Sequence, residues 1–119
     1  MSDRFSAGTR QEERTGIIDL VGILDGDSAA ALTEAYAAAS PEVDRILLNF
    51  EPMTFMNSSG IALVVELLAR ARVEGRAVHA AGLSDHYRHI FEITRLSDFM
   101  TIHGDMASAV AQTAPREED

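Results

Sequence analysis

A chain of 119 residues, 46% hydrophobic and 24% charged, has the size and composition of one globular domain. Its formal net charge of −9 disfavours nucleic acid and anionic membrane surfaces as partners, because both would repel it. The sequence has no cysteine and no lysine, which excludes disulfides, thiol nucleophiles and Schiff-base or P-loop lysines. With no apolar segment near the roughly 20 residues that span a bilayer and no signal-peptide pattern, we expect a cytoplasmic protein without membrane insertion.

The first half of the chain predicts three strands and one helix. Residues 6–12 are polar and are consistent with an edge strand. Residues 17–24 are rich in β-branched side chains and predict a strand, in which Gly22 indicates a bend or a close approach of backbone. Residues 29–39 have strong helix propensity and end before a Ser-Pro pair. Residues 45–50 form a short apolar run with polar flanks, which is typical of a buried strand.

The second half continues this alternation. A helix begins at residues 57–60 (Asn-Ser-Ser-Gly) and runs to about Val73, and its apolar residues cover most of its circumference. Such a helix either packs on more than one side or lies under a partner. The remaining predicted elements are a strand over residues 77–81, a helix over 84–94, a short strand over 99–102 and a helix over 105–113.

Helices that alternate with short apolar strands predict an α/β fold. We expect a single domain over residues 1–113, with a mixed sheet of about four to five strands and about four α-helices. Residues 114–119 (APREED) end in three acidic residues, so we expect an acidic flexible tail there.

The Asn-Ser-Ser-Gly step at residues 57–60 has two interpretations. A serine at the start of a helix is exposed among free backbone N–H groups, where the helix dipole favours negative charge. Alternatively, Asn57, Ser58 or Ser59 is only the N-cap and Gly60 is a small residue of the first turn, as in most such motifs.

Catalytic and metal sites are less favoured. A serine hydrolase elbow needs glycine on both sides of the nucleophile, and none of the four histidines lies in a recognisable base motif. His86 and His89 are spaced to share a helix face beside Asp85, but this is a weak metal pattern. There is no glycine-rich phosphate loop. The sequence therefore predicts a protein that is not an enzyme and uses no metal or cofactor.

Three segments share their order and spacing with a known family. Residues 46–50 (ILLNF) and 53–62 (MTFMNSSGIA) place an apolar strand before the Asn-Ser-Ser-Gly step. Residues 22–25 read GILD, and residues 82–94 read GLSDHYRHIFEIT. Together, over about residues 5–112, they resemble the signature of the STAS domain family, which includes the bacterial anti-sigma factor antagonists.

The resemblance implies a regulatory binding protein. Such a protein binds a kinase-type anti-sigma factor and so frees a sigma factor, until the anti-sigma factor phosphorylates a serine and dissociates; a metal-dependent serine phosphatase then removes the phosphate. The residue that matches the family's acceptor is Ser58, and its neighbours in the motif are Asn57, Ser59 and Gly60.

The resemblance also implies a partner-binding surface around the acceptor. Its candidate residues are Asp25, Met53, Phe55, Met56 and Ile61. Methionine and phenylalanine near a strand end are equally consistent with packing in the hydrophobic core. Contact with a partner and packing in the core therefore both stand as hypotheses for these residues.

Two positions depart from the family pattern. Asn57 stands where the family has aspartate before the acceptor; asparagine is neutral but is still a good helix N-cap. Arg95 stands where the family usually has glycine, so either a left-handed arginine costs about 1 kcal/mol or the turn differs.

Two other functional hypotheses remain open at this point. One is a STAS scaffold subunit of a larger regulatory or transport assembly, which has no phosphorylation switch. The other is a sensor of a small ligand or nucleotide, with a pocket at the strand ends.

Overall fold

The computed structural model describes residues 4–113, which form one mixed sheet with helices on both faces. The strands are β1 (Ser6–Glu12), β2 (Thr15–Leu24), β3 (Arg45–Asn49), β4 (Met53–Met56), β5 (Ala77–Ala81) and β6 (Thr101–His103). The α-helices are α1 (Ala29–Ala39), α2 (Ser58–Val73), α3 (Asp85–Ile93) and α4 (Met106–Thr113). Two 3-10 turns cover Gly26–Ser28 and Leu96–Asp98. No helix within residues 4–113 is long and apolar enough to cross a membrane.

The α/β fold class is confirmed, and every predicted element is present within a few residues of its expected bounds. The sheet has six strands, one more than the largest expected number, because β4 was not predicted. This strand has only four residues, too few to show a period of two. The predicted tail over residues 114–119 lies outside the described residues.

The order of the strands is β1-β2-β3-β5-β6, and only the β1–β2 pair is antiparallel. The long strand β2 pairs with β3 through its first half and with β4 through its last residues. The change occurs at Gly22, which has a positive φ of 90° and donates its N–H to Pro52 O at 3.2 Å. The bend predicted at Gly22 is thus the point where β4 replaces β3 beside β2.

The core lies mainly on the sheet face that carries α1, α2 and α3. A smaller cluster on the other face joins α4 to the sheet through Ile17, Leu47, Ala81 and Ala109. Helix α2 buries only one side, formed by Gly60, Val64, Leu67, Leu68 and Ala71. Its other side carries exposed apolar residues, including Val73, that nothing within residues 4–113 covers.

Arg95 adopts the left-handed conformation after α3, with φ 67° and ψ 15°. Of the two possibilities raised by the sequence, the structure therefore has the left-handed turn with an arginine in it. Its guanidinium lies 3.0 Å from the carboxylate of Asp98, but this ion pair is largely exposed and contributes little.

Candidate functional site

The start of α2 lies directly on the end of β2. The backbone N–H of Asn57 donates to the carbonyl of Leu24 at 3.3 Å. A Cβ on Gly60 would lie 2.1 Å from that same carbonyl oxygen, so only glycine permits this close approach. The Asn-Ser-Ser-Gly step is therefore held beside the turn that follows β2.

Asn57 is the N-cap of α2. Its backbone is extended, and its side-chain oxygen accepts a hydrogen bond from the N–H of Gly60 at 2.9 Å. Ser58 and Ser59 are the first two residues of the helix and are both exposed. Within residues 4–113 their hydroxyls have no hydrogen-bond partner, so the cap role considered for Ser58 and Ser59 is wrong. Ser59 lies beside Gly26, where an added Cβ would be 3.5 Å from that of Ser59.

The surroundings of Ser58 suit an added negative charge. Helix α2 has 16 residues and no acidic side chain in its first turn, so its positive end is not compensated there. A phosphate on Ser58 would carry about −1.5 to −2 charges close to free backbone N–H groups. A negative charge at this position would therefore be stabilised by the helix dipole.

The opposite side of the site is the acidic turn after β2. The carboxylate of Asp25 accepts the N–H of Asp27 at 3.0 Å, and the N–H of Asp25 donates to Ser28 Oγ at 3.0 Å. This reciprocal pair caps the 3-10 turn, so Asp25 has a structural role besides any contact with a partner.

The four apolar candidates differ in exposure. Phe55 is 50% exposed, whereas Met56 is 3% exposed and belongs to the core. Met53 and Ile61 are half-buried and pack against that core. The core interpretation therefore holds for Met56, whose side chain is not available to a partner in this structure.

Tyr87 of α3 also contributes to the site, although it is not among the candidate residues that the sequence indicates. Its hydroxyl accepts a hydrogen bond from the N–H of Met56 at 3.0 Å. This contact anchors the last residue of β4, next to the N-cap Asn57. The two residues are 31 positions apart, and no local pattern signals their contact.

Two histidines form a pair away from Ser58. The rings of His79 on β5 and His103 on β6 are stacked with centroids 5.2 Å apart, and His79 Nδ1 lies 3.0 Å from His103 Nε2. Burial lowers the pKa of both imidazoles, and the nearby charges of His103 and Arg45 lower that of His79 further. Within residues 4–113 no cluster of three or more potential ligands could hold a metal ion, and His86 and His89 are exposed.

The histidine pair predicts a loss of stability in acid. Because the folded pKa values lie below the ordinary value of 6.5, the unfolded chain binds more protons as the pH falls below about 6.5. The contribution of the two neutral histidines to the free energy of unfolding is complete above about pH 6.5 and decreases below it. Replacing both residues by glutamine should flatten the decline of melting temperature between about pH 7 and pH 5. The control His89→Gln on α3 should keep the wild-type slope, and an unchanged slope in the double variant would contradict the prediction.

Comparisons with known proteins agree with the geometry. The family model described as "Mlab, STAS domain" matches residues 7–103. The anti-sigma-B factor antagonist of Staphylococcus aureus (strain NCTC 8325 / PS 47) is 27% identical over 96 residues, which cover 80% of this chain and 89% of the relative.

Solved structures show the same fold at low sequence identity. The phosphorylated form of the Bacillus cell fate determinant SpoIIAA has a TM-score of 0.66 and 24% identity, with 92% of this chain and 100% of that chain covered. An anti-sigma factor antagonist from Mycobacterium paratuberculosis has a TM-score of 0.76 and 14% identity, with 94% of this chain and 97% of that chain covered. The family match extends over most of the described residues, and these folds agree with it. The chain therefore belongs to the STAS domain family.

Proposed function

We propose that this protein is an anti-sigma factor antagonist that binds a kinase-type anti-sigma factor and thereby frees a sigma factor. Phosphorylation of Ser58 by that partner dissociates the complex, and a serine phosphatase later removes the phosphate. The observation that carries the proposal is the free, exposed hydroxyl of Ser58 at the first position of α2, beside the N-cap Asn57. Similarity to a Staphylococcus aureus anti-sigma-B factor antagonist supports it.

The proposed partner surface combines an apolar side chain with charge. It consists of the exposed ring of Phe55, the turn that contains Asp25, and the first turn of α2, with Met53 and Ile61 at its base. Within the domain, a phosphate on Ser58 is stabilised by the helix dipole. At the interface the same phosphate weakens binding, because the partner must either strip water from its charge or repel it. Release therefore follows from charge at the interface and needs no unfolding.

The protein acts in this scheme as a substrate and a ligand of other enzymes, and not as an enzyme itself. Its place of action is the cytoplasm, where a sigma factor meets RNA polymerase. The net charge of −9 is consistent with a protein partner and unfavourable for direct contact with DNA.

A second candidate function is a STAS scaffold without a phosphorylation switch. It is favoured by Asn57, which lacks the negative charge of the aspartate in the STAS pattern that this sequence resembles. In this case Ser58 would remain an interface residue that is never modified.

The deciding experiment uses the kinase-type anti-sigma factor of the same genome. The wild-type chain, Ser58→Ala and Ser59→Ala are each incubated with it and Mg-ATP, and the products are mapped by mass spectrometry. We expect phosphate on Ser58 in the wild type and in Ser59→Ala, and none in Ser58→Ala. Phosphate on Ser59 would contradict the assignment. A stable complex without any phosphorylation would favour the scaffold.

Asn57→Asp tests the departure from the family pattern. If a carboxylate at this position orients the serine hydroxyl, the change should raise the single-turnover phosphorylation rate by about 10²-fold. Stability should hardly change, because aspartate and asparagine are nearly equal N-caps and either can accept the N–H of Gly60. Equal phosphorylation rates for the wild type and Asn57→Asp would show that the amide of Asn57 supports phosphorylation as well as a carboxylate does.

A further inference from the structure

A cavity of about 650 Å³ opens between the second half of α2, the start of β5 and residues 96–101. This volume lies within the range of about 300–1,000 Å³ that is typical of small-molecule sites. Its apolar floor comprises Leu68, Val78, Leu96 and Met100, all of which are buried.

The cavity is separate from the site at Ser58. It lies at the amino-terminal ends of β5 and β6, whereas Ser58 lies at the carboxyl-terminal ends of β2 and β4. Arg72 lies 14 residues after Ser58 on α2, which places it about 20 Å away along the helix axis. A carboxylate held by Arg72 would therefore lie well away from Ser58, while the nearer wall of the cavity, at Val65, is about 10 Å from Ser58 along the helix axis.

The mouth of the cavity is apolar and exposed. Val65 is 43% exposed and Phe99 is 54% exposed, although both are large hydrophobic residues. Ala69 lies between Val65 and Arg72 on the wall that α2 forms. Water-exposed apolar side chains above a buried apolar floor favour an occupant with a hydrocarbon or aromatic body.

One positive charge at the mouth is not neutralised. The guanidinium of Arg72 lies 5.7 Å from the centre of the Phe99 ring, and within residues 4–113 it has no carboxylate partner. The other charged groups at the cavity are engaged elsewhere: Asp98 pairs with Arg95 at 3.0 Å, and Arg76 binds Glu74 and Tyr36. Among the residues that the structure describes, Arg72 is thus the one cation at the cavity without a carboxylate partner, and it lies beside apolar walls.

We propose that this cavity binds an amphipathic carboxylate, with its apolar body on the floor and its carboxylate against the guanidinium of Arg72. Arginine holds a carboxylate through two parallel N–H···O bonds, which gives the head group a defined place. The exposed ring of Phe99 covers the apolar body from the solvent side. The proposal does not depend on phosphorylation of Ser58.

Decanoate is a suitable probe, and decylamine has the same chain with the opposite charge. We expect decanoate to bind the full chain with one-to-one stoichiometry by calorimetry, at least tenfold more tightly than decylamine. Amide NMR shifts should concentrate on residues 65–78 and 96–101. Absence of binding, or equal affinity for the two probes, would overturn the proposal.

Variants locate the ligand. Arg72→Gln should weaken decanoate binding about tenfold while it leaves the domain folded, because this side chain is exposed. Ala69→Trp should fill the mouth and reduce binding by a similar or larger factor, whereas Ala38→Trp on the exposed side of α1 should not. Unchanged affinity in Arg72→Gln and Ala69→Trp would overturn the proposal. A ligand-free dimer that Ala69→Trp dissociates would assign the cavity to a second copy and overturn it as well.

Discussion

Gly60→Ala is expected to destabilise the domain by about 3 kcal/mol, although alanine is the better helix former by about 1 kcal/mol. The added Cβ would lie 2.1 Å from Leu24 O and 2.8 Å from its carbonyl carbon, which are backbone atoms of β2. Neither can move without breaking the hydrogen bond between the N–H of Asn57 and the carbonyl of Leu24. The start of α2 must therefore separate from β2.

Urea denaturation of Gly60→Ala and Gly8→Ala measures this effect. Gly8 is the matched control, because no atom lies within 4 Å of the Cβ that alanine would add there. We expect Gly8→Ala to leave the unfolding free energy nearly unchanged. If Gly60→Ala were as stable as the wild type or more stable, the close contact between Gly60 of α2 and the backbone of Leu24 in β2 would be contradicted. Phosphorylation by the kinase should fall in the same variant, since Ser58 would move with the helix.

Ser58→Asp is expected to weaken binding of the anti-sigma factor by about 30-fold or more, which corresponds to about 2 kcal/mol. The carboxylate places a negative charge at the centre of the proposed interface, where it must be desolvated. Within the domain the same charge is favourable by about 0.3–1 kcal/mol, because it lies at the positive end of α2. Affinity and stability should therefore change in opposite directions.

Ser58→Asn separates charge from size. Asparagine has nearly the same shape as aspartate and no charge, so we expect it to retain most of the affinity that Ser58→Asp loses. Binding is measured by calorimetry with the anti-sigma factor and ADP, and stability by thermal unfolding. Equal loss in both variants would mean that bulk, and not charge, disrupts the complex. A large drop in melting temperature for Ser58→Asp would mean that the serine is a structural residue and not a surface switch.

The sequence by itself determined the alternation of strands and helices apart from β4, because the other elements carry their own composition signals and their own breakers. The run of β-branched residues in β2, the alanine-rich α1 and the polar step before α2 are local signals that need no tertiary context. The motif around Ser58 likewise indicated both the family and the candidate acceptor. Gly22 predicted a bend or a close approach of backbone, and the structure has a positive φ and a shift of register at this residue.

Only the tertiary structure decided which residue performs each role within these elements. The four residues of β4 become a strand because the end of β2 offers them backbone hydrogen-bond partners. These partners are distant in sequence, so no local pattern signals the pairing. Asn57, and not a serine, caps α2, because the end of β2 fixes where the helix begins. Adjacent residues Phe55 and Met56 face solvent and core respectively, since strand side chains alternate and only the packed helices show which face is inside. Such roles arise from contacts between distant segments, which local sequence patterns do not encode.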